Sequence, residues 1–177
     1  MSKTVLLAAA AAALAAFPAA AMTAGQANCP AQVAPAGTGA KLVEEMMNYK
    51  EGQDTNPALT QAITQVNDTC VTREKVPAAS QDTYTRYVIA RLSYDELVRR
   101  FAAMKVPVAV LDRVFEIGPG KRNPTPDQVS EAQFNTLVEE LQKVGISVDK
   151  LPEMALGMMG AYVTVSGEMY RDQAAIR

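Results

Sequence analysis

The chain of 177 residues contains no histidine and no tryptophan. Histidine is the usual general base near neutral pH and the commonest side-chain ligand of transition metals. Its absence excludes a Ser-His-Asp or Cys-His catalytic site, a zinc site with Cys and His ligands, and the attachment motif of c-type haem. An enzyme would have to use carboxylates, lysine or tyrosine instead, and the sequence singles out no such set. We therefore predict no catalytic residue, no metal ligand and no cofactor-binding residue.

Long apolar runs and an excess of positive charge are also missing. Beyond the first residues of the chain, charged side chains interrupt every apolar run before it reaches the roughly 20 residues that cross a bilayer. The formal net charge is -2, so the chain lacks the basic surplus that attracts a nucleic-acid backbone. We expect no transmembrane anchor and no nucleic-acid partner.

What is present begins at the N-terminus, with the pattern of a secretory signal peptide. Lys3 precedes an unbroken apolar run from Val5 to Phe17, and Pro18 and small residues follow. The run is too short and too rich in alanine for a retained anchor. The sequence predicts a signal peptide over residues 1–24 and a periplasmic or secreted bacterial protein.

The cleavage site stays open between residues 21 and 27. Signal peptidase requires small residues at positions −3 and −1. Ala19 with Ala21 meets this requirement, and so does Gly25 with Ala27. Cleavage after residue 24 would place Met22 at position −3, which is a poorer fit.

Cys29 and Cys70 are the two cysteines of the chain. In an oxidising compartment they predict one intrachain disulfide. A bridge that closes a loop of about forty residues stabilises a fold by about 4 kcal/mol. The alternatives are an intermolecular bridge and a pair of redox-active thiols, although the spacing is far from the Cys-x-x-Cys arrangement of exchange chemistry.

The rest of the chain divides into an arm and a domain. Residues 28–39 show no periodicity and little bulk, which predicts a flexible arm tethered by Cys29. Over residues 40–177, apolar side chains recur at spacings of three and four, the period of amphipathic helices. This pattern predicts an all-α, single-domain bundle of about five to seven helices.

Two helix starts are marked by capping residues. Asn56 is suited to the N-cap and Pro57 to the first helical position. The apolar stripe that follows consists of Leu59, Ile63, Val66 and Cys70. Thr125 with Pro126 predicts a second start, and its helix has a predicted buried stripe of Phe134, Leu137, Leu141 and Val144.

Two segments are ambiguous. Ser93–Glu96 is a capping-box pattern that can begin a new helix, yet the apolar stripe from Tyr87 to Met104 runs through it, which favours one helix or a slight bend. Ala161–Ser166 contains strand formers, but a stripe from Met154 to Met169 continues across it. We predict helix in both places.

A few features could carry chemistry, and each has a simpler interpretation. Lys121 and Arg122 precede a predicted helix N-terminus and are candidate contacts for an anion or an acidic partner. The thioethers of Met154, Met158 and Met159 could bind Cu(I), but core packing explains them. The adjacent carboxylate pairs, which we interpret as solvated helix faces, are Glu44/Glu45, Asp95/Glu96 and Glu139/Glu140.

These observations predict an exported, non-enzymatic helical protein that acts as a binding module, adaptor or accessory subunit of an envelope assembly. Its partner would be another envelope or secreted protein, and its oligomeric state stays open. Two alternatives belong to other classes. A hydrolase would need two carboxylates from different helices converging in a cleft. A small-ligand carrier would need an apolar cavity between helices.

Overall fold

The computed structural model describes residues 22–176, and every regular element in that range is a helix. This confirms the predicted all-α fold and helix number. Three single-turn 3-10 helices lie at Ala78–Ser80, Pro126–Gln128 and Val148–Lys150. The seven α-helices are α1 (Ala24–Val33), α2 (Thr38–Met47), α3 (Pro57–Arg73), α4 (Gln81–Ala103), α5 (Val108–Phe115), α6 (Glu131–Lys143) and α7 (Met154–Ala175).

Most of the predicted signal peptide, residues 1–21, lies outside the described residues. Within residues 22–176, none of the helices combines the length and the apolarity needed to cross a membrane.

Helix α4 lies at the centre of the fold. It packs along α7, and α1, α2 and α3 contact its other faces. Phe101 on α4 meets Tyr162 on α7 edge to face with ring centroids 5.7 Å apart, and both side chains are fully buried. Tyr94 packs on the same tyrosine at 5.6 Å. An aromatic cluster therefore joins the two longest helices.

Both ambiguous segments are helical. Helix α4 continues through Ser93–Glu96 and α7 continues through Ala161–Ser166, which confirms the two predictions. The interpretation of Glu96 as a capping residue is wrong. Its carboxylate lies 2.7 Å from guanidinium nitrogens of both Arg99 and Arg100.

The predicted disulfide between Cys29 and Cys70 is present. It joins α1 to α3 with a Cα–Cα distance of 5.7 Å, and both cysteines are fully buried. The start of α3 is also as predicted, because the Asn56 side chain accepts hydrogen bonds from the amides of Ala58 and Leu59, and Pro57 occupies the first turn.

The prediction of a flexible arm over residues 28–39 is wrong. Helix α1 occupies the first half of that segment, and Thr23 begins this helix with a capping box that Gln26 completes. The segment has no apolar stripe of its own, which is why periodicity does not reveal it. Its helix is stabilised instead by the disulfide and by polar contacts with α4.

A proline inside α1 accounts for one of those polar contacts. Pro30 has no amide hydrogen, so it cannot complete the helical hydrogen bond to the carbonyl of Gln26. The buried hydroxyl of Tyr84 donates to this carbonyl instead, at 2.8 Å. One residue further along, the carbonyl of Ala27 accepts from Tyr87 at 3.0 Å. Two tyrosines of α4 thus bond to main-chain oxygens of α1.

The predicted start of α6 is also wrong. Thr125 does form a capping box with Gln128, but it caps only the 3-10 turn Pro126–Gln128. The backbone at Val129 is extended, and a second capping box, between Ser130 and Gln133, begins α6. Two capping boxes follow each other along the chain. The sequence pattern does not show from which of them a long α-helix continues.

Candidate functional site

An apolar groove lies where α2, α3 and α4 meet. Its volume is about 440 Å³. This is within the roughly 300–1,000 Å³ that is typical of small-molecule pockets, which are also mostly apolar with few polar groups. The apolar side chains that line the groove are Leu42, Met46, Tyr49, Leu59, Ile63 and Ile89.

The groove exists because the other helices of residues 22–176 leave part of the apolar faces of α3 and α4 uncovered. Along α3, Val66 and Cys70 are buried, whereas Ile63 is only partly buried and lines the groove. Ile89 of α4 is 37% exposed, and Tyr49, just beyond the end of α2, is 65% exposed. The helices thus leave apolar surface accessible from outside.

A serine hydroxyl without a partner lies beneath the groove. Ser93 of α4 belongs to its lining and is fully buried, and its Oγ makes no hydrogen bond within residues 22–176. A buried hydroxyl that lacks a partner costs about 1–3 kcal/mol. The capping-box pattern at Ser93 is unused here because the helix runs through it.

Replacing Ser93 with alanine is expected to raise the free energy of unfolding by about 1 kcal/mol, because the change removes an unpaired buried hydroxyl and introduces a better helix former. Chemical denaturation measures this. Ser166→Ala is the matched control, since Ser166 is equally buried in α7 but its hydroxyl donates to the Tyr162 carbonyl. If S93A is less stable than S166A, Ser93 is not an unpaired group.

Two carboxylates, those of Glu44 and Glu45, lie at the edge of the groove, and each has a polar partner. Glu45 belongs to the lining, and its carboxylate accepts a hydrogen bond from the Asn56 amide at 2.8 Å, which ties α2 to the start of α3. The carboxylate of neighbouring Glu44 lies 3.6 Å from Arg100. Within the described part of the chain, Glu45 is the one charged residue in the lining of the groove.

A second, smaller apolar crevice lies between α5, α6 and α7, with a volume of about 180 Å³. Phe134 and Leu156 flank it and are 38% and 42% exposed. The prediction that Phe134 and Val144 belong to a buried stripe is therefore wrong, because α6 buries only the middle of that stripe, at Leu137 and Leu141.

The candidate contacts Lys121 and Arg122 lie on an exposed loop. The Arg122 guanidinium is 3.6 Å from the Glu116 carboxylate, and both side chains are about half exposed. Their predicted position just before a helix N-terminus is wrong, because a 3-10 turn follows the loop and α6 begins only at Glu131. Neither Lys121 nor Arg122 belongs to the lining of the apolar groove.

Each adjacent carboxylate pair supplies at least one partner of an ion pair with arginine or lysine. The interpretation as a solvated face is wrong for Glu96, which is buried. Hydrogen bonds from Arg99 and then from Arg100 lower the pKa of Glu96, against the effect of its burial. Lys143 and Arg113 lower the pKa of Glu140 in the same way. The other carboxylates of these pairs with a cationic neighbour are Glu44 with Arg100 and Asp95 with Arg91.

A different carboxyl group is held inside the fold. Burial raises the pKa of Asp112 on α5, while a hydrogen bond of 2.7 Å from the Tyr162 hydroxyl opposes that rise. Burial also raises the pKa of Tyr162. The two groups join α5 to α7, so this contact has a structural explanation.

The methionine cluster is split between core and surface. Met158 and Met159 are buried, as core packing predicts, but that interpretation is wrong for Met154, which is exposed at the start of α7. Within residues 22–176, no group of three or more Cys, Asp or Glu side chains is arranged to hold a metal ion. The apolar groove is thus the site whose shape and lining best suit a ligand.

Comparison with protein-family models gives no match, and neither does comparison with curated proteins or with solved structures.

The sequence does not predict the groove as a site. Leu59 and Ile63 belong to an apolar stripe, and a stripe shows which face of a helix is apolar without showing whether another helix covers it. A usable signal was Ser93, a polar residue on the path of an apolar stripe. Tyr49 was another, because a large aromatic side chain follows the end of α2 where polar residues would be expected.

Proposed function

We propose that the protein is an exported, non-enzymatic binding protein of the bacterial envelope, and that the groove between α2, α3 and α4 binds a small apolar ligand. The observation that carries this proposal is the groove itself, with its volume of about 440 Å³, its apolar lining and the accessible side chains of Ile89 and Tyr49. The proposal takes up the carrier alternative, with an open groove in place of an enclosed cavity.

Export is supported by the disulfide. The Cys29–Cys70 bridge is buried between α1 and α3, and structural disulfides of this kind persist in oxidising compartments. The N-terminal sequence, with Lys3 before the apolar run Val5–Phe17, supports the same proposal.

Binding of an uncharged apolar probe tests the site. N-phenyl-1-naphthylamine is suitable, because its fluorescence rises on transfer from water to an apolar environment. We expect the purified mature protein to bind it, and Ile89→Asp to weaken binding at least tenfold, since a carboxylate in the groove loses hydration when the probe enters. Fluorescence titration measures both affinities.

Leu156→Asp is the matched control. Leu156 and Ile89 have similar exposure, on different helices, and Leu156 lines the smaller crevice. It is expected to bind the probe like the unchanged protein, and thermal unfolding followed by circular dichroism verifies that both variants are folded. Equal affinity of both variants, or loss of binding only in L156D, would contradict a ligand site in the groove.

An adaptor is the second candidate function, and the crevice beside Phe134 and Leu156 favours it. Exposed apolar side chains at the edge of a crevice are typical of surfaces that contact another protein. If a partner from the native envelope co-purifies with I89D but not with L156D, the adaptor function is the better one.

A further inference from the structure

Helix α1 shows which product of signal-peptide cleavage retains the contacts of the fold. The sequence permits cleavage after Ala21 or after Ala27, and less well after Ala24. Residues 22–33 are part of the folded chain, so the three products would differ in which structural groups they keep.

Cleavage after Ala24 would remove the cap of α1. The Thr23 hydroxyl accepts from the Gln26 amide at 3.1 Å, and the Gln26 side chain accepts from the Thr23 amide at 3.0 Å. In the first backbone hydrogen bond of the helix, the amide of Ala27 donates to the carbonyl of Thr23. A chain that begins at Gly25 lacks this reciprocal cap.

Cleavage after Ala27 would remove more. The carbonyls of Gln26 and Ala27 accept the hydroxyls of Tyr84 and Tyr87, and Arg91 donates to Ala27 as well. Both tyrosines are buried. A product that begins at Asn28 would leave their hydroxyls without these acceptors, and it would place a charged amino group next to the disulfide.

We infer that signal peptidase cleaves between Ala21 and Met22 and that the mature chain begins at Met22. This inference rests on the proposed export. Cleavage there keeps the Thr23 cap and both carbonyls, and Met22 itself is partly buried against the core. Ala19 and Ala21 supply the small side chains that the peptidase requires.

The test is the N-terminus of the protein made in bacteria from the full chain. The cell envelope fraction is purified, and its intact mass and N-terminal peptide are determined. Met22 as the first residue is expected. A first residue at Gly25 or Asn28 overturns the inference but keeps export, whereas an uncleaved chain confined to the cytoplasm contradicts export itself.

Two aspartate substitutions sharpen the test. Ala21→Asp places a charge at the −1 position and is expected to reduce processing more than tenfold, measured as the ratio of precursor to mature chain. Ala24→Asp is the control, because Ala24 is an exposed first-turn position where an acidic side chain is favourable, and processing is expected to be unchanged. Normal processing of A21D would overturn the inference, and blocked processing of A24D would then indicate cleavage after Ala24.

Discussion

Replacing Cys29 and Cys70 together with alanine is expected to lower the free energy of unfolding by about 4 kcal/mol. The bridge spans 41 positions, and a closed loop of that length restricts the unfolded chain by about this amount. It also joins α1 to α3, and α1 has little apolar surface of its own. Alanine is chosen because serine would leave two hydroxyl groups in a fully buried place.

Denaturant unfolding of three samples measures this effect: the oxidised protein, the protein reduced by a thiol, and the double alanine variant. The last two are expected to agree with each other and to unfold at a clearly lower denaturant concentration than the first. The slope of the transition should rise when the loop is opened, because more surface becomes exposed on unfolding. A loss below about 1 kcal/mol would contradict a structural role for the bridge.

The second large effect is expected in the aromatic cluster. Phe101→Ala should destabilise the protein by about 3–5 kcal/mol, because it removes a fully buried ring and leaves a cavity against Tyr162. This position lies where the two longest helices, α4 and α7, pack together. Equilibrium unfolding followed by circular dichroism measures the loss.

Phe134→Ala is the matched control for that substitution. The same atoms are removed, but Phe134 is 38% exposed at the edge of the smaller crevice, so a loss of at most about 1 kcal/mol is expected. The informative quantity is the ratio between the loss of stability in F101A and the loss in F134A. Similar losses would mean that α6 packs more closely than the structure shows.

The sequence predicts the parts of this fold that local signals determine. Asn56 and Pro57 mark the start of α3 because capping requires only neighbouring residues. The apolar stripe predicts that α4 continues past Ser93, since burial along its whole length outweighs a capping pattern in its middle. The disulfide follows from the two cysteines and the expected compartment.

The errors lie where tertiary contacts decide. Helix α1 has no stripe and contains a proline, and it is held by a bridge to α3 and by hydroxyl groups of α4 that are distant in sequence. The start of α6 depends on which of two capping boxes propagates. The groove depends on the relative placement of three helices, which no stripe specifies.

The bond between Tyr84 and the Gln26 carbonyl has a consequence for alignment. In an ordinary helix each main-chain oxygen is already paired within the helix, so two helices can slide past each other at little cost in hydrogen bonding. Pro30 leaves the oxygen of Gln26 without its helical donor, and that oxygen faces a tyrosine hydroxyl at a fixed position on α4. A slide of one residue would break the pair, so this hydrogen bond acts together with the disulfide to fix the register of α1.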